Sequence, residues 1–300
     1  MNPVAVFTHP DCIRHDPGPG HPEAPARLIA VVERLDDDPR ARIAVAPAGG
    51  RFDLLAVHPE THLRHLEQWS ADGGGLVSVD TITNEASWPA VLGAVGAVIA
   101  AVDHAHAGRG HAFAAVRPPG HHALAQRAMG FCLVNNVLVG ARRAQRFGRE
   151  RVLVIDWDVH HGNGTQALME HDPTIRYVSL HQHPWYPGTG MAEERGVGNV
   201  FNVPRGPGAP PALYVDDLWA AVRQALAGWT PDLVLVSAGY DAMLGDPLGG
   251  FTLEPEHYAQ VITRLRERLP KAPIVGLLEG GYVPARIAEG VQATIWALGD

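Results

Sequence analysis

Asp156-Trp157-Asp158-Val159-His160-His161-Gly162-Asn163-Gly164 sets two carboxylates, two imidazoles and an amide within nine positions. It follows the apolar run Val152-Leu153-Val154-Ile155. If the extended backbone continues, side chains 156, 158 and 160 point the same way, and two carboxylates and an imidazole share one face. That donor set suits a divalent metal, Zn²⁺ first, with Fe²⁺ or Mn²⁺ also able to bind it. The bland alternative is a solvated turn with ordinary Asp and Asn capping. It gives no reason for charge directly after so apolar a run, where an unpaired carboxylate is costly.

Asp241 ends a second apolar run, Leu233-Val234-Leu235-Val236-Ser237-Ala238-Gly239-Tyr240, and supplies a third ligand from a neighbouring strand. Three protein ligands leave room for water and substrate, as catalytic sites do. Asp246 is the rival carboxylate, but Asp-Pro in the Gly-rich segment Gly245-Asp246-Pro247-Leu248-Gly249-Gly250 reads as a turn-former. In Arg117-Pro118-Pro119-Gly120-His121-His122 the prolines and glycine fix a loop that presents two imidazoles, an acid/base pair suited to neutral pH when carboxylates are near. Tyr282, after Glu279-Gly280-Gly281, offers a hydroxyl to a developing oxyanion, though Gly-Gly before an aromatic more often marks a turn. His58, His62, His65, His104, His106 and His111 have no carboxylate at metal spacing and read as surface or helix residues.

The elements that must position these groups alternate along the chain. Short apolar runs at Val4–Phe7, Ala112–Val116, Val152–Ile155, Tyr177–Leu180, Leu233–Val236 and Ile274–Leu278 are nearly continuous rather than alternating, as buried parallel strands are. Between them, helical periodicity covers Ala26–Leu35, Ser87–His106, Val134–Phe147, Ala212–Ala227, Pro255–Leu269 and Pro284–Leu298. The pattern predicts a three-layer α/β domain spanning 1–300. Asp16–Pro25, His183–Gly190 and Pro204–Pro211 read as surface loops. Four of the apolar runs end in the polar clusters named above, and ligands of parallel sheets bind beyond such strand ends.

Bulk properties narrow the function further. With 46% hydrophobic and 19% charged residues, the 300-residue chain is expected to be globular. A net charge of -8 without a dense Lys/Arg block argues against nucleic acid as partner. Two cysteines make neither a disulfide framework nor a thiolate zinc site and suit the cytoplasm. The N-terminal residues lack an export pattern, and the longest apolar run, Val91–Val102, is too short to span a bilayer, so no membrane is expected. A homo-oligomer stays open.

Together these motifs resemble one family, the arginase-like histone deacetylases, and within it class II and its bacterial relatives. The likeness extends through Gly20-His21-Pro22-Glu23 with Arg27, Arg117 to Ala123, Gly130-Phe131-Cys132, Asp156 to Gly164, Ser179-Leu180-His181, Pro187-Gly188-Thr189-Gly190, Ala238 to Gly250 and Glu279 to Tyr282. The resemblance implies a central, mostly parallel eight-stranded sheet and Zn²⁺ on Asp158, His160 and Asp241. It implies His122 as general base and acid, His121 as its electrostatic partner, Asp156 paired with His121, and Asn163 paired with His122, where class I enzymes carry Asp. It also implies a structural K⁺ held by Asp156, Asp158, His160, Ser179 and Leu180, none of which spacing alone reveals.

By the same resemblance, Gly130, Phe131, Tyr186 and Leu248 contact substrate. Phe131 and Tyr186 match the aromatic walls of an acyl-lysine tunnel in which most relatives have two Phe. Arg27 matches an arginine beside an interior channel that releases acetate. Leu248 stands where polyamine-selective relatives carry Glu, and Glu193 and Glu194 are the acidic residues available to replace that charge. The implied reaction is zinc-dependent hydrolysis of an acylated amine such as N6-acetyl-lysine. Its rivals are an acetylpolyamine or other small-amide amidohydrolase, a catalytically silent acyl-lysine binding protein, and a phosphoesterase with a two-metal cluster. A silent homologue is expected to lose a ligand or the tyrosine, and this chain keeps both; a two-metal cluster needs more carboxylates than the sequence offers.

Overall fold

The structure is a computed structural model that describes residues 3–299. Its elements run β1 (Val4–Thr8), α1 (Asp11–Arg14), α2 (Ala26–Asp36), β2 (Ala41–Val45), α3 (Arg51–Leu54), α4 (Glu60–Ala71), β3 (Gly74–Leu76), β4 (Ile82–Asn84), α5 (Ser87–His106), β5 (Ala112–Ala114), α6 (Asn136–Arg146), β6 (Val152–Asp156), α7 (Asn163–Met169), β7 (Ile175–Gln182), β8 (Val200–Arg205), α8 (Pro211–Ala225), β9 (Leu233–Ala238), α9 (Pro255–Arg268), β10 (Ile274–Leu278) and α10 (Pro284–Gly299).

Eight strands form one sheet in the order β2-β1-β5-β10-β9-β6-β7-β8, and every pairing in it is parallel. Its central strands are the continuous apolar runs of the sequence, and Val152 to Ile155 are fully buried. Complete burial of a Val, Leu or Ile side chain contributes about 1.5–3 kcal/mol, which is why these segments take the middle of the sheet. Helices α2, α10, α9 and α8 pack in succession on one another, and α4, α5 and α6 form a second group, so that the sheet is flanked by helices. A two-stranded antiparallel hairpin, β3-β4, stands apart from the main sheet.

The edge strands β2 and β8 and the hairpin were not expected from apolar runs. Edge strands bury one face or less, and β2 carries Arg42 and β8 carries Pro204 and Arg205. Helices α1, α3, α4 and α7 are also additions; α4 is amphipathic and covers a satellite apolar cluster that includes Leu54, Leu63, Leu66, Val91 and Val95. Helix α5 runs the full 20 residues from Ser87, longer than its apolar centre, and is apolar enough by length and composition to cross a membrane. Here it packs against α1, α4, α6, β1 and β5.

Parallel register sets the site. Asp156 pairs with Ser179 of β7 on one side and Ser237 of β9 on the other, and Leu278 pairs with Ala238. The residues that follow β6, β7, β9 and β10 therefore leave the sheet side by side.

Candidate metal and catalytic site

One donor atom each from Asp158, His160 and Asp241 lies within 4.8 Å of the others, with all three side chains buried. The imidazole Nδ1 of His160 stands 3.1 Å from an oxygen of Asp158 and 3.1 Å from one of Asp241. Backbone N–H groups hold the carboxylates. Asp241 accepts from Val159 N at 2.8 Å, and Asp158 accepts from His160 N at 2.9 Å and Gly280 N at 2.8 Å. A side chain at Gly280 would collide with both carboxylates, which explains glycine there. Burial, and then the neighbouring Asp158 charge, push the Asp241 carboxyl up to about 7, while His160 rises to about 10 against its own burial because both carboxylates face it. Two carboxylates this close and this dry call for a cation between them, and carboxylate–imidazole–carboxylate is chemistry that Zn²⁺ accepts. The residues fit the ion that the sequence implies.

A second group with donors within 4.8 Å of one another is His121, Cys132 and Glu279. Its ligand capacity is already used. Glu279 accepts from Gly120 N at 2.6 Å, His121 N at 3.1 Å and Ser237 Oγ at 3.3 Å, and Cys132 accepts from His122 N at 3.4 Å. Burial holds the Cys132 thiol protonated, with its pKa well above the ordinary value.

The two histidines of the loop after β5 face different partners. His121 Nδ1 lies 3.1 Å from Asp156, and His122 Nδ1 lies 2.8 Å from the Asn163 side-chain oxygen. Burial opposes charge on both. For His121 it is overcome by Asp158 and Asp156, which hold its pKa well above the ordinary value. For His122 burial wins, aided by the neighbouring His121 and His160, and its pKa falls well below the ordinary value. One imidazolium and one neutral imidazole thus sit side by side, with ring centroids 4.0 Å apart.

Of these groups, His122 and His160 reach a cavity of about 250 Å³ that is also lined by Asp80, Gly130, Phe131, Trp185, Tyr186, Leu248 and Tyr282. The Tyr186 ring stands 5.1 Å from that of His122 and 6.1 Å from that of His160. Phe131 meets the Tyr282 ring edge-on at 5.8 Å. Tyr282 stays protonated, since burial and then Asp241 raise its pKa well above the ordinary value. Arg27 places its guanidinium 5.1 Å from the Tyr282 ring centroid and pairs with Glu23 at 2.7 Å. Asp156, the carboxylate partner of His121, also accepts from Tyr177 Oη at 2.9 Å. Ser179 Oγ lies 2.9 Å from His181 Nδ1, and the Leu180 carbonyl faces Tyr214 Oη at 3.5 Å.

Several residues with structural roles here went unread or misread in the sequence. Asp246 is more than a turn-former: it accepts from Tyr282 N at 2.7 Å and Leu248 N at 2.9 Å, and so fixes the backbone of two cavity residues. Asp80 was not singled out at all. Glu194 does not reach the cavity; it turns inward to accept from Gly190 N, Met191 N and Gln166 Nε2. Glu193 is likewise absent from the lining. The 16–25 segment is not merely a surface loop, because its Glu23 is buried between Arg27 and Arg117. His58 is buried and outside any helix, and His62, a helix residue in α4, is buried as well: His58 accepts from Asn135 N at 2.8 Å, and His62 Nε2 lies 2.9 Å from Leu133 O. The signal for these was faint, a polar residue next to an apolar run or a Gly-rich turn.

Comparison with known proteins agrees with this geometry. A family profile described as the histone deacetylase domain matches residues 21–298. An uncharacterised protein of Synechocystis is 43% identical, with the match covering 97% of this chain and 98% of that one. A probable deacetylase of Methanothermobacter thermautotrophicus is 37% identical over 88% of this chain and 82% of its own. The histone deacetylase-like amidohydrolase of Pseudomonas aeruginosa is 36% identical over 89% and 74%. The crystal structure of the HDA15 HD domain superposes with a TM-score of 0.94 at 36% identity, covering 98% of this chain and 90% of that one.

Proposed function

The chain belongs to the histone deacetylase family, and from that premise we propose that it is a zinc-dependent amidohydrolase removing an acetyl or other acyl group from an acylated amine such as N6-acetyl-lysine. The observation that carries this reading is one cavity lined by His122, a neutral imidazole, by Tyr282, a protonated phenol, and by His160, whose donor atom gathers with those of Asp158 and Asp241.

Asp158, His160 and Asp241 would hold the ion, which when bound supplies a Lewis acid for the amide carbonyl and for water. His122 takes the proton of the attacking water on its free Nε2, because Nδ1 is committed to Asn163. His121, charged and anchored on Asp156, sits beside it and favours the transition state electrostatically. The Tyr282 hydroxyl donates to the developing oxyanion. His122 then returns the proton to the leaving nitrogen, so that amide and water become carboxylate and amine. Phe131 and Tyr186 flank the acyl-amine stem, Gly130 contacts it from its place against the His122 ring, and Leu248 contacts it from the loop after β9.

We also infer a structural K⁺ on Asp156, Asp158, His160, Ser179 and Leu180, a reading supported by the register of Asp156, the last residue of β6, against Ser179 within β7. A second reading, hydrolysis of a cationic acylpolyamine, draws support from Asp80 at the cavity. Hydrolysis of an acetyl-lysine peptide by zinc-loaded protein, lost on chelation and restored by zinc, is the expected result. Full activity in the chelated protein contradicts the zinc assignment.

A further inference from the structure

Met129, Gly130, Phe131 and Cys132 make a tight turn in which Met129 N donates to Cys132 O at 3.1 Å and Cys132 N to Met129 O at 3.0 Å. Both central residues lie in the left-handed region, Gly130 at φ 57° and Phe131 at φ 66°. Glycine suits the first position, where any side chain would also collide with the His122 ring. Phe131 takes the second at a conformational cost, the only non-glycine residue with positive φ among the described residues. Its ring lines the cavity, edge-on to Tyr282 at 5.8 Å and to His21 at 4.8 Å. The bonds that close the turn do not engage the two central N–H groups. Those groups find their acceptors in the loop between β3 and β4: Gly130 N donates to Asp80 Oδ1 at 3.0 Å and Phe131 N to Thr81 Oγ1 at 3.1 Å. Thr81 is buried and gives its own proton to Asp80 Oδ1 at 2.8 Å.

Resting on the amidohydrolase reading above, we propose that Thr81 is a positioning residue for the substrate: its hydroxyl holds the strained Met129–Cys132 turn and so sets the Phe131 ring as a wall against the acyl-amine stem. A hydroxyl is matched to this task because it both donates and accepts. The bond to Asp80 fixes the direction of its proton, which leaves a lone pair for the Phe131 N–H. Without that acceptor the N–H is left unpaired and the left-handed conformation loses its restraint, so the ring is free to leave the cavity wall. Valine keeps the branched shape of Thr81 but accepts nothing, whereas serine keeps the hydroxyl. Thr81 itself does not line the cavity, so its effect on a ligand must pass through Phe131.

The test reads binding first. Hexanohydroxamic acid, whose linear alkyl chain stands in for the substrate stem, is titrated calorimetrically into zinc-loaded protein. Thr81→Val is expected to weaken it by about tenfold, the scale of an orphaned N–H group, and Thr81→Ser to bind near the native level. KM for an acetyl-lysine peptide should rise in Thr81→Val while kcat stays near the native value, because a wall grips ground state and transition state alike. In a Phe131→Gly background both the ring and the left-handed strain are gone. Adding Thr81→Val there is expected to change Kd by less than about twofold, as for residues whose only link has been removed. Native binding in Thr81→Val, or an equal loss in the two backgrounds, overturns the proposal while leaving the hydrolase reading intact. Where Thr81→Val does not fold, Thr81→Ala is judged in its place by the same outcomes. Failure of the native zinc-loaded protein to bind the hydroxamate overturns both.

Discussion

His122 Nδ1 lies 2.8 Å from the side-chain oxygen of Asn163, a neutral acceptor, whereas the neighbouring His121 is anchored on a carboxylate. An amide oxygen fixes the Nδ1–H tautomer without making the ring a strong base, so Nε2 stays free to accept a proton. His121, held charged by Asp158 and Asp156, has no such freedom. His122→Ala is therefore expected to lower kcat by about 100-fold or more, and by more than His121→Ala does. The reverse order in steady-state kinetics would exchange their roles.

Three ligands are few enough that losing one matters. Asp241→Asn or His160→Ala is expected to abolish stoichiometric zinc and activity together, because the remaining pair holds the ion too weakly. Elemental analysis of the purified variants decides it, and a full equivalent of zinc in either shows that the ligand set is wrong.

Tyr282 has its backbone N–H tied to Asp246, so the position of its ring does not depend on its hydroxyl. Tyr282→Phe should keep zinc content and thermal stability while reducing kcat by about 100-fold, the usual cost of an oxyanion donor. An unaltered kcat removes Tyr282 from the chemistry.

The central strands and the gathering of Asp158, His160 and Asp241 were legible in the sequence for one physical reason: charged residues clustered just beyond a fully apolar strand have few explanations other than a site. Asp158 and His160 follow Val152–Ile155 closely, and Asp241 follows the run that begins at Leu233. The eight-strand count and the pairings of His121 and His122 came only through resemblance, since they join residues 35 and 41 positions apart. Asp246 and Asp80 were illegible because their work is to accept backbone N–H groups from segments distant in sequence. Edge strand β2 escaped because three of its five residues are only half-buried and the other two are exposed.

His58 ties stability to pH. Its Nε2 accepts from Asn135 N, which heads α6, and its Nδ1 lies 3.0 Å from Ala125 O, so the native bonding requires the neutral ring. Burial lowers its pKa from 6.5 to about 4. The unfolded chain thus binds the proton first: this contribution is fully present above pH 6.5 and is lost as pH falls from there toward 4. The loss reaches about 3 kcal/mol for this group. Denaturant midpoints measured between pH 7.5 and 4.5 should fall less steeply in His58→Gln than in the native protein, and equal slopes would exclude His58 as a source.

Leu248 sits at the cavity with its backbone held at both ends, its N–H by Asp246 at 2.9 Å and its carbonyl by Trp185 Nε1 at 2.8 Å. The side chain can therefore be exchanged without moving the loop. An apolar side chain here offers nothing to a cation, and an ammonium placed against it in a partly desolvated entrance loses hydration without return. Native enzyme is accordingly expected to hydrolyse a neutral acetyl-lysine peptide more efficiently than N-acetylputrescine. Leu248→Glu brings a carboxylate to the same point, close to a cation that the substrate must leave at the entrance. The ratio of kcat/KM values should move toward the acetylpolyamine by about tenfold or more, the effect of one charge-assisted contact. Because Asp80 and Tyr186 belong to other loops, the change reports on position 248 alone. A native preference for the polyamine, or a ratio unmoved by Leu248→Glu, would instead favour the small-amide reading of the site.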